Sequence, residues 1–246
     1  MKLHMQLHKV TAAAALGVLL LSSAGALSVA EDELHTADGE VIQFENYTGP
    51  HAVIETADAI RGIGTALGRQ VARNVNAGGT FGRGEKYTLI HAVDPSVKEK
   101  LDADILILNE NATVDHIRNL RRIIAGYLSA AYGYSRADAE TIATFITVYN
   151  AVHRGKIADF QNRYKTIVLN NLDADRCGLS IKWNEWPGKS QIVIPLFDLQ
   201  GGLSTVDTSV ISDRDVINSM REEDDMGIDQ RVNMADIKGR EADNYA

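Results

Sequence analysis

Hydrophobic residues recur every three or four positions in four segments of the chain, the spacing that places them on one face of an α-helix. Two of these segments begin at capping residues: Thr56, and Ser135 with Asp138 three residues later. Gly133 and Gly155 end the second and third segments. The four predicted helices begin at Thr56, Val114, Ser135 and Lys156, and the last runs to about residue 172.

Three glycines, Gly62, Gly64 and Gly68, lie inside the first predicted helix. Their spacing superficially matches a dinucleotide-binding turn, but that turn joins a strand to a helix, and the residues before Gly62 already follow a helical pattern. Each glycine costs up to about 1 kcal/mol of helix stability relative to alanine. We therefore expect another backbone to pack closely against this helix.

Three short segments rich in β-branched and other apolar residues predict strands at Tyr87–Val93, Asp104–Leu108 and Gln191–Leu196. Pro195 has no backbone N–H, which places the last strand at a sheet edge or Pro195 at a strand end. Four glycines within residues 78–84 are expected to break the chain. Together the elements predict an α+β fold: an antiparallel helical bundle packed on a small β-sheet, with a polar C-terminal tail.

The N-terminus has the pattern of a secretory signal peptide over residues 1–30. Two lysines precede an apolar run over residues 10–21, and small residues follow. The predicted mature chain begins at Glu31 or, alternatively, at Leu27. An uncleaved anchor is the less favoured interpretation, because the run is shorter than the roughly 20 apolar residues that span a bilayer. We expect no transmembrane segment after cleavage.

The mature chain divides by composition into three parts. Residues 31–55 are polar and predict an extended entry segment, and residues 56–200 contain all the long periodic segments and predict one globular domain. Residues 201–246 are acidic and are expected to be a flexible, solvated tail. One short helix within it is expected to be capped by Ser212 and Asp215.

Composition and charge exclude several classes of protein. Hydrophobic residues make up 45% and charged residues 24%, as in an ordinary globular domain rather than a disordered or collagen-like chain. The formal net charge is -8, and removing the first thirty residues leaves 23 basic against 33 acidic groups. Binding to a phosphate backbone generally needs the opposite sign, so no nucleic-acid partner is expected.

No pattern of nucleophiles or metal ligands predicts catalysis. Cys177 is the single cysteine, so it is either a small buried side chain or a partner in a disulfide between chains. The segment that begins at Asp173 has only part of a calcium loop, and the mature chain's five histidines are widely spaced. We therefore predict no catalytic residue, no cofactor and no metal site.

The loop of residues 183–189 holds the candidate binding residues, which are Trp183, Glu185, Trp186 and Lys189. Two tryptophans beside polar groups can form a stacking platform for a sugar or a peptide. The alternative is that both indoles cap the helical core, and we expect Trp186 to be buried and Trp183 partly exposed.

Six segments, in the same order along most of the mature chain, are similar to segments of a known family; they fall within residues 46–50, 61–64, 103–107, 146–155, 178–183 and 186–196. On these segments the chain resembles the spirochaete 83/100-kDa antigen family, of the Borrelia and Treponema type. Longer family members continue into a charged, repetitive region and a further domain, so the resemblance covers the N-terminal globular domain only.

The resemblance implies an exported envelope antigen with no assigned catalytic residues. We expect a protein of the periplasm or cell envelope with a non-enzymatic binding or structural role. Its partner would be an unknown envelope protein or cell-wall component. The alternative is a periplasmic hydrolase acting on cell-wall material, with Glu185 as the carboxylate.

Overall fold

Seven α-helices and a four-stranded antiparallel sheet make up the part of the chain that this computed structural model describes, which is residues 42–49, 56–73, 77–197 and 205–220. The predicted α+β class is confirmed. In chain order the elements are α1 (Ala57–Val71), β1 (Gly79–Arg83), β2 (Tyr87–Ala92), β3 (Asp102–Leu108), α2 (Ile117–Tyr132), α3 (Arg136–Val152), α4 (Ile157–Arg163), α5 (Thr166–Leu169), β4 (Ser190–Leu196), α6 (Thr208–Ile211) and α7 (Arg214–Ser219). The predictions for the signal peptide lie outside the described residues.

The four strands are neighbours in the order β1-β2-β3-β4. Leu106 of β3 lies opposite Leu89 of β2 and Ile192 of β4, so a buried apolar row crosses β2, β3 and the edge strand β4. The predicted edge position of the strand that contains Pro195 is confirmed. The expected break at residues 78–84 is wrong, because residues 79–83 pair with β2 as a fourth strand.

Helix α1 crosses α2 at a distance that only glycine permits. A Cβ atom on Gly64 would lie 1.7 Å from the carbonyl oxygen of Ile123, and one on Gly126 would lie 2.3 Å from that of Arg61. The predicted close approach of another backbone is therefore confirmed at Gly64, whereas the same construction on Gly62 meets nothing within 4 Å. The helix stability that is lost by having glycine in place of alanine is offset by the close packing of the two helices.

The outer edge of β4 is paired along its length by irregular chain and one side chain. Asn150 of α3 accepts a hydrogen bond from Val193 N (2.7 Å) and donates one to Val193 O (2.8 Å), as a neighbouring strand would. Backbone groups of residues 176–178 pair with Gln191, and those of residues 205–207 pair with the strand end. This edge therefore leaves no row of free backbone groups for another chain to join.

The expected single helix over residues 156–172 is wrong, because the chain leaves the helical conformation at Tyr164 (φ -108°, ψ 153°). Lys165 N there donates to Leu101 O at 2.9 Å. The Lys165 ammonium lies 2.8 Å from the Asp102 carboxylate, and both side chains are buried. A buried ion pair and a backbone bond to the start of β3 thus override the apolar helical pattern.

The helical region extends beyond residue 200, into the segment expected to be a solvated tail. Asp207 and Asp213 cap α6 and α7, in place of the predicted Ser212 and Asp215. Arg163 donates two hydrogen bonds of 3.2 Å to Asp213 and so links α4 to this segment. Its buried apolar side chains, which join the main core, are Val206, Ile211, Val216 and Met220.

Candidate functional site

The 183–189 loop begins with one turn of 3-10 helix, Trp183–Glu185, and returns to the sheet where Gly188 N donates to Leu108 O at 2.8 Å. Trp186 has no exposed surface, and its indole N–H donates to Ser180 O at 2.7 Å. Its ring packs against Phe44 in a T-shaped arrangement, with centroids 6.4 Å apart. Trp186 is therefore a core residue that anchors the loop, as expected.

Trp183 lies at the surface of the same loop and is partly buried, which confirms the second expectation. Its ring meets Tyr47 edge to face, with centroids 5.0 Å apart. Backbone hydrogen bonds on both sides of Glu45 join the entry segment to Ile181 and Trp183. Ile181 is 37% exposed, one of three large apolar side chains in the described residues that are exposed to this degree.

The other two predicted binding residues differ in environment. Glu185 accepts a 2.7 Å hydrogen bond from Ser180 Oγ, so its carboxylate holds the loop that carries it. Lys189 is exposed at the far end of the loop. The four predicted residues therefore do not form one continuous platform, because Trp186 points into the core. We define the tryptophan-loop surface as Trp183, the ring of Tyr47 that it contacts, and the two exposed residues that precede it, Ile181 and Lys182.

A surface depression of about 290 Å³ lies where the end of this loop meets the β3–α2 connection. Gly188 contributes one wall, and a Cβ atom there would lie 3.0 Å from Glu110 Cγ. The polar side chains that line the depression are Glu85, Asn109, Glu110, Asn111 and Arg176. No sequence pattern marks this group, because its members come from three separate parts of the chain.

A buried polar cluster joins the sheet to α2. His91 Nδ1 lies 2.5 Å from one oxygen of Asp104, and the hydroxyls of Tyr127 and Tyr132 donate to the other. Burial, reinforced by the negative charge of Asp104, raises the pKa of both phenols well above its ordinary value. The cluster is at most 4% exposed, so it connects strands to helix rather than meeting a ligand.

A second cluster joins α3 to α4. The hydroxyls of Tyr149 and Tyr164 are 2.8 Å apart, and His153 Nδ1 lies 2.8 Å from Asp159 Oδ2. Burial raises the pKa of Tyr149 to about 12. The sequence signal for both clusters is a polar residue inside an apolar helical or strand segment, and that signal does not say which groups meet.

The comparison with protein families identifies the chain. The family model of the Borrelia P83/100 protein matches residues 31–246. The chain belongs to this family. The P83/100 family is a spirochaete antigen family, so the resemblance stated from the sequence segments is confirmed. No curated protein and no solved structure matches the chain.

The P83/100 match includes every residue that the structure describes, and with them both surfaces described above. Within those residues, no helix is both long and apolar enough to cross a membrane, and no set of three or more His, Cys, Asp or Glu side chains is placed to bind a metal ion. The Cys177 thiol is buried, and burial raises its pKa. Its position is that of a small core residue, which leaves no accessible sulfur for a disulfide between chains.

Proposed function

We propose that this P83/100-family chain is an exported cell-envelope protein that binds a partner without catalysing a reaction. The partner is an envelope protein or a cell-wall component. Membership of an antigen family supports a location in the envelope. The family match begins at residue 31, directly after the predicted signal peptide, which supports export of the remainder.

The observation that carries the binding role is the tryptophan-loop surface. The exposed Ile181 and the partly exposed Trp183 are two residues apart, both bond through their backbones to Glu45, and the buried Trp186 anchors the loop that follows them. Aromatic side chains on a rigid support lose little conformational entropy when they bind, and tryptophan and tyrosine are enriched at binding hot spots. Lys182 adds an exposed charge beside them.

The hydrolase alternative depends on Glu185 as an acid or a base. Its carboxylate accepts a hydrogen bond from Ser180, and it is not among the side chains that line the depression. A glycosidase of the common type needs two carboxylates that flank the scissile bond. The placement of Glu185 therefore supports the binding role over hydrolysis.

The test compares two exposed apolar side chains of nearly equal accessibility. Ile181, 37% exposed, belongs to the tryptophan-loop surface, and Val97, 38% exposed, does not. In cross-linked cells, Ile181→Asp should lose the partner that the wild-type protein captures, and Val97→Asp should retain it. Equal capture by both variants would contradict the proposal. Release of soluble fragments from purified cell wall that is abolished by Glu185→Gln would establish the hydrolase instead.

A further inference from the structure

We propose that the depression between Gly188 and the β3–α2 connection is a binding site for a small zwitterion, a free amino acid or a short peptide with both of its charged ends unblocked. This inference is independent of the tryptophan-loop surface. It rests on the shape of the depression and on the charges that line it.

The depression is small, and its walls are rigid. A volume of about 290 Å³ is near the lower end of the range for small-molecule sites, which is roughly 300–1,000 Å³. Backbone hydrogen bonds hold its walls: Asn109 N donates to Lys86 O at 3.0 Å, and Gly188 N donates to Leu108 O at 2.8 Å. The walls are therefore in place before a ligand arrives, which reduces the entropy cost of binding.

The lining of the depression carries side chains of both charges. Arg176 donates from its Nε atom to Asp173 at 3.1 Å, and among the described residues no other side chain bonds its guanidinium, whose two terminal nitrogens can bind a ligand carboxylate. Glu110 and Glu85 line the same depression, and in the described part of the chain neither forms an ion pair with Arg176. Opposite charges that share a depression without pairing leave room between them for a ligand that carries both an ammonium and a carboxylate group.

Two asparagine amides complete the polar lining. Asn111 donates a weak 3.4 Å hydrogen bond to Glu85, and Asn109 donates one of 3.1 Å to Thr88. Both amides keep acceptor oxygens that can receive N–H groups from a peptide bond or an ammonium. The lining thus offers a guanidinium for a carboxylate, and carboxylates and amides for an amine.

The experiment uses glycine, diglycine and triglycine as probes, with the purified mature chain and ligand-observed saturation-transfer NMR. At least one of the three should bind, and N-acetylation or C-terminal amidation of that probe should each weaken binding by about tenfold or more, the loss expected for one charged hydrogen bond. Arg176→Gln and Glu110→Gln should each cause a similar loss. The control is Glu99→Gln, an exposed carboxylate outside the depression.

Three results would overturn the proposal. These are the absence of binding by all three probes, equal binding of blocked and unblocked forms, and affinities of the Arg176 and Glu110 variants that match the control. Thermal melting of each variant separates a lost contact from a lost fold, and both substitutions lie at exposed positions where unfolding is not expected.

Discussion

Asn150 closes the outer edge of β4 from inside α3, and its replacement by leucine should destabilise the domain strongly. Its side chain is buried and pairs with both the N–H and the C=O of Val193, which is itself fully buried. Leucine has a similar volume but cannot form hydrogen bonds. The substitution therefore leaves two buried backbone groups unpaired while it preserves most of the packing.

The magnitude follows from those two groups. Each buried group left unsatisfied costs about 1–3 kcal/mol, which gives about 2–6 kcal/mol for the pair. Burial of the more apolar leucine side chain offsets part of that cost. We expect the free energy of unfolding to fall by about 2–4 kcal/mol, a large fraction of the roughly 5–15 kcal/mol typical of a domain.

Urea denaturation of the mature chain, followed by circular dichroism at 222 nm, measures the change. Thr144→Val is the matched control, because Thr144 is also buried in α3 and, among the described residues, its hydroxyl bonds only to the Glu140 carbonyl of its own helix (3.1 Å). That control should lose about 1 kcal/mol or less. If Asn150→Leu were as stable as Thr144→Val, the side chain would not be acting as a strand partner. Hydrogen exchange at the Val193 amide gives an independent reading, since protection there should fall in Asn150→Leu alone.

Four further predictions address the core, the loop, alkaline pH and export. Phe145→Ala removes a buried aromatic ring from α3 and should cost about 3–5 kcal/mol by the same urea assay; an unchanged midpoint would contradict the packing described. Trp186→Ala should lower the free energy of unfolding by a similar amount, whereas Trp183→Ala should melt close to the wild type. In the native protein, acrylamide should quench only the indole of Trp183. The pKa of Tyr149, raised to about 12 from an ordinary value near 10, means that the unfolded chain loses this proton first. The contribution of Tyr149 to stability should therefore be constant below pH 10 and should decline as the pH rises from 10 to about 12; absorbance at 295 nm in which every tyrosine titrates near 10 would refute this. Fractionated cells should contain a mature chain in the envelope or periplasm that begins at Glu31 or Leu27, as read by N-terminal sequencing, and a full-length cytoplasmic product would contradict export.

The sequence alone determined the elements whose signals are local. The 3.6-residue spacing of apolar side chains predicted α1, α2 and α3, and the caps at Thr56 and Ser135 and the stop at Gly133 lie where the structure has them. Short segments rich in β-branched and other apolar residues predicted the strands β2, β3 and β4. These features depend on backbone geometry within a few residues, which periodicity and capping chemistry report directly.

Tertiary structure determined the local conformation of those segments whose stabilising contacts come from residues distant in sequence. The glycine-rich residues 79–83 have weak strand propensity, yet they form β1 because β2 offers a complete row of backbone partners. The helix expected to continue through Tyr164 is interrupted because Lys165 reaches Asp102. In each case, a contact between residues remote in sequence outweighs a local preference of about 1 kcal/mol or less per residue.

The two surfaces show the same division. Residue types marked the 183–189 loop as a binding candidate and predicted a buried Trp186 and a partly exposed Trp183, but only the packing shows which groups hold them there: Trp186 bonds to Ser180 O, and Trp183 meets the ring of Tyr47. The depression beside Gly188 has no signal in the sequence, because Glu85, Glu110 and Arg176 come together only when β4 pairs with β3 and the neighbouring loops are fixed. Local patterns specify which segments form helices and strands, whereas the meeting of side chains from separate segments depends on how those helices and strands pack.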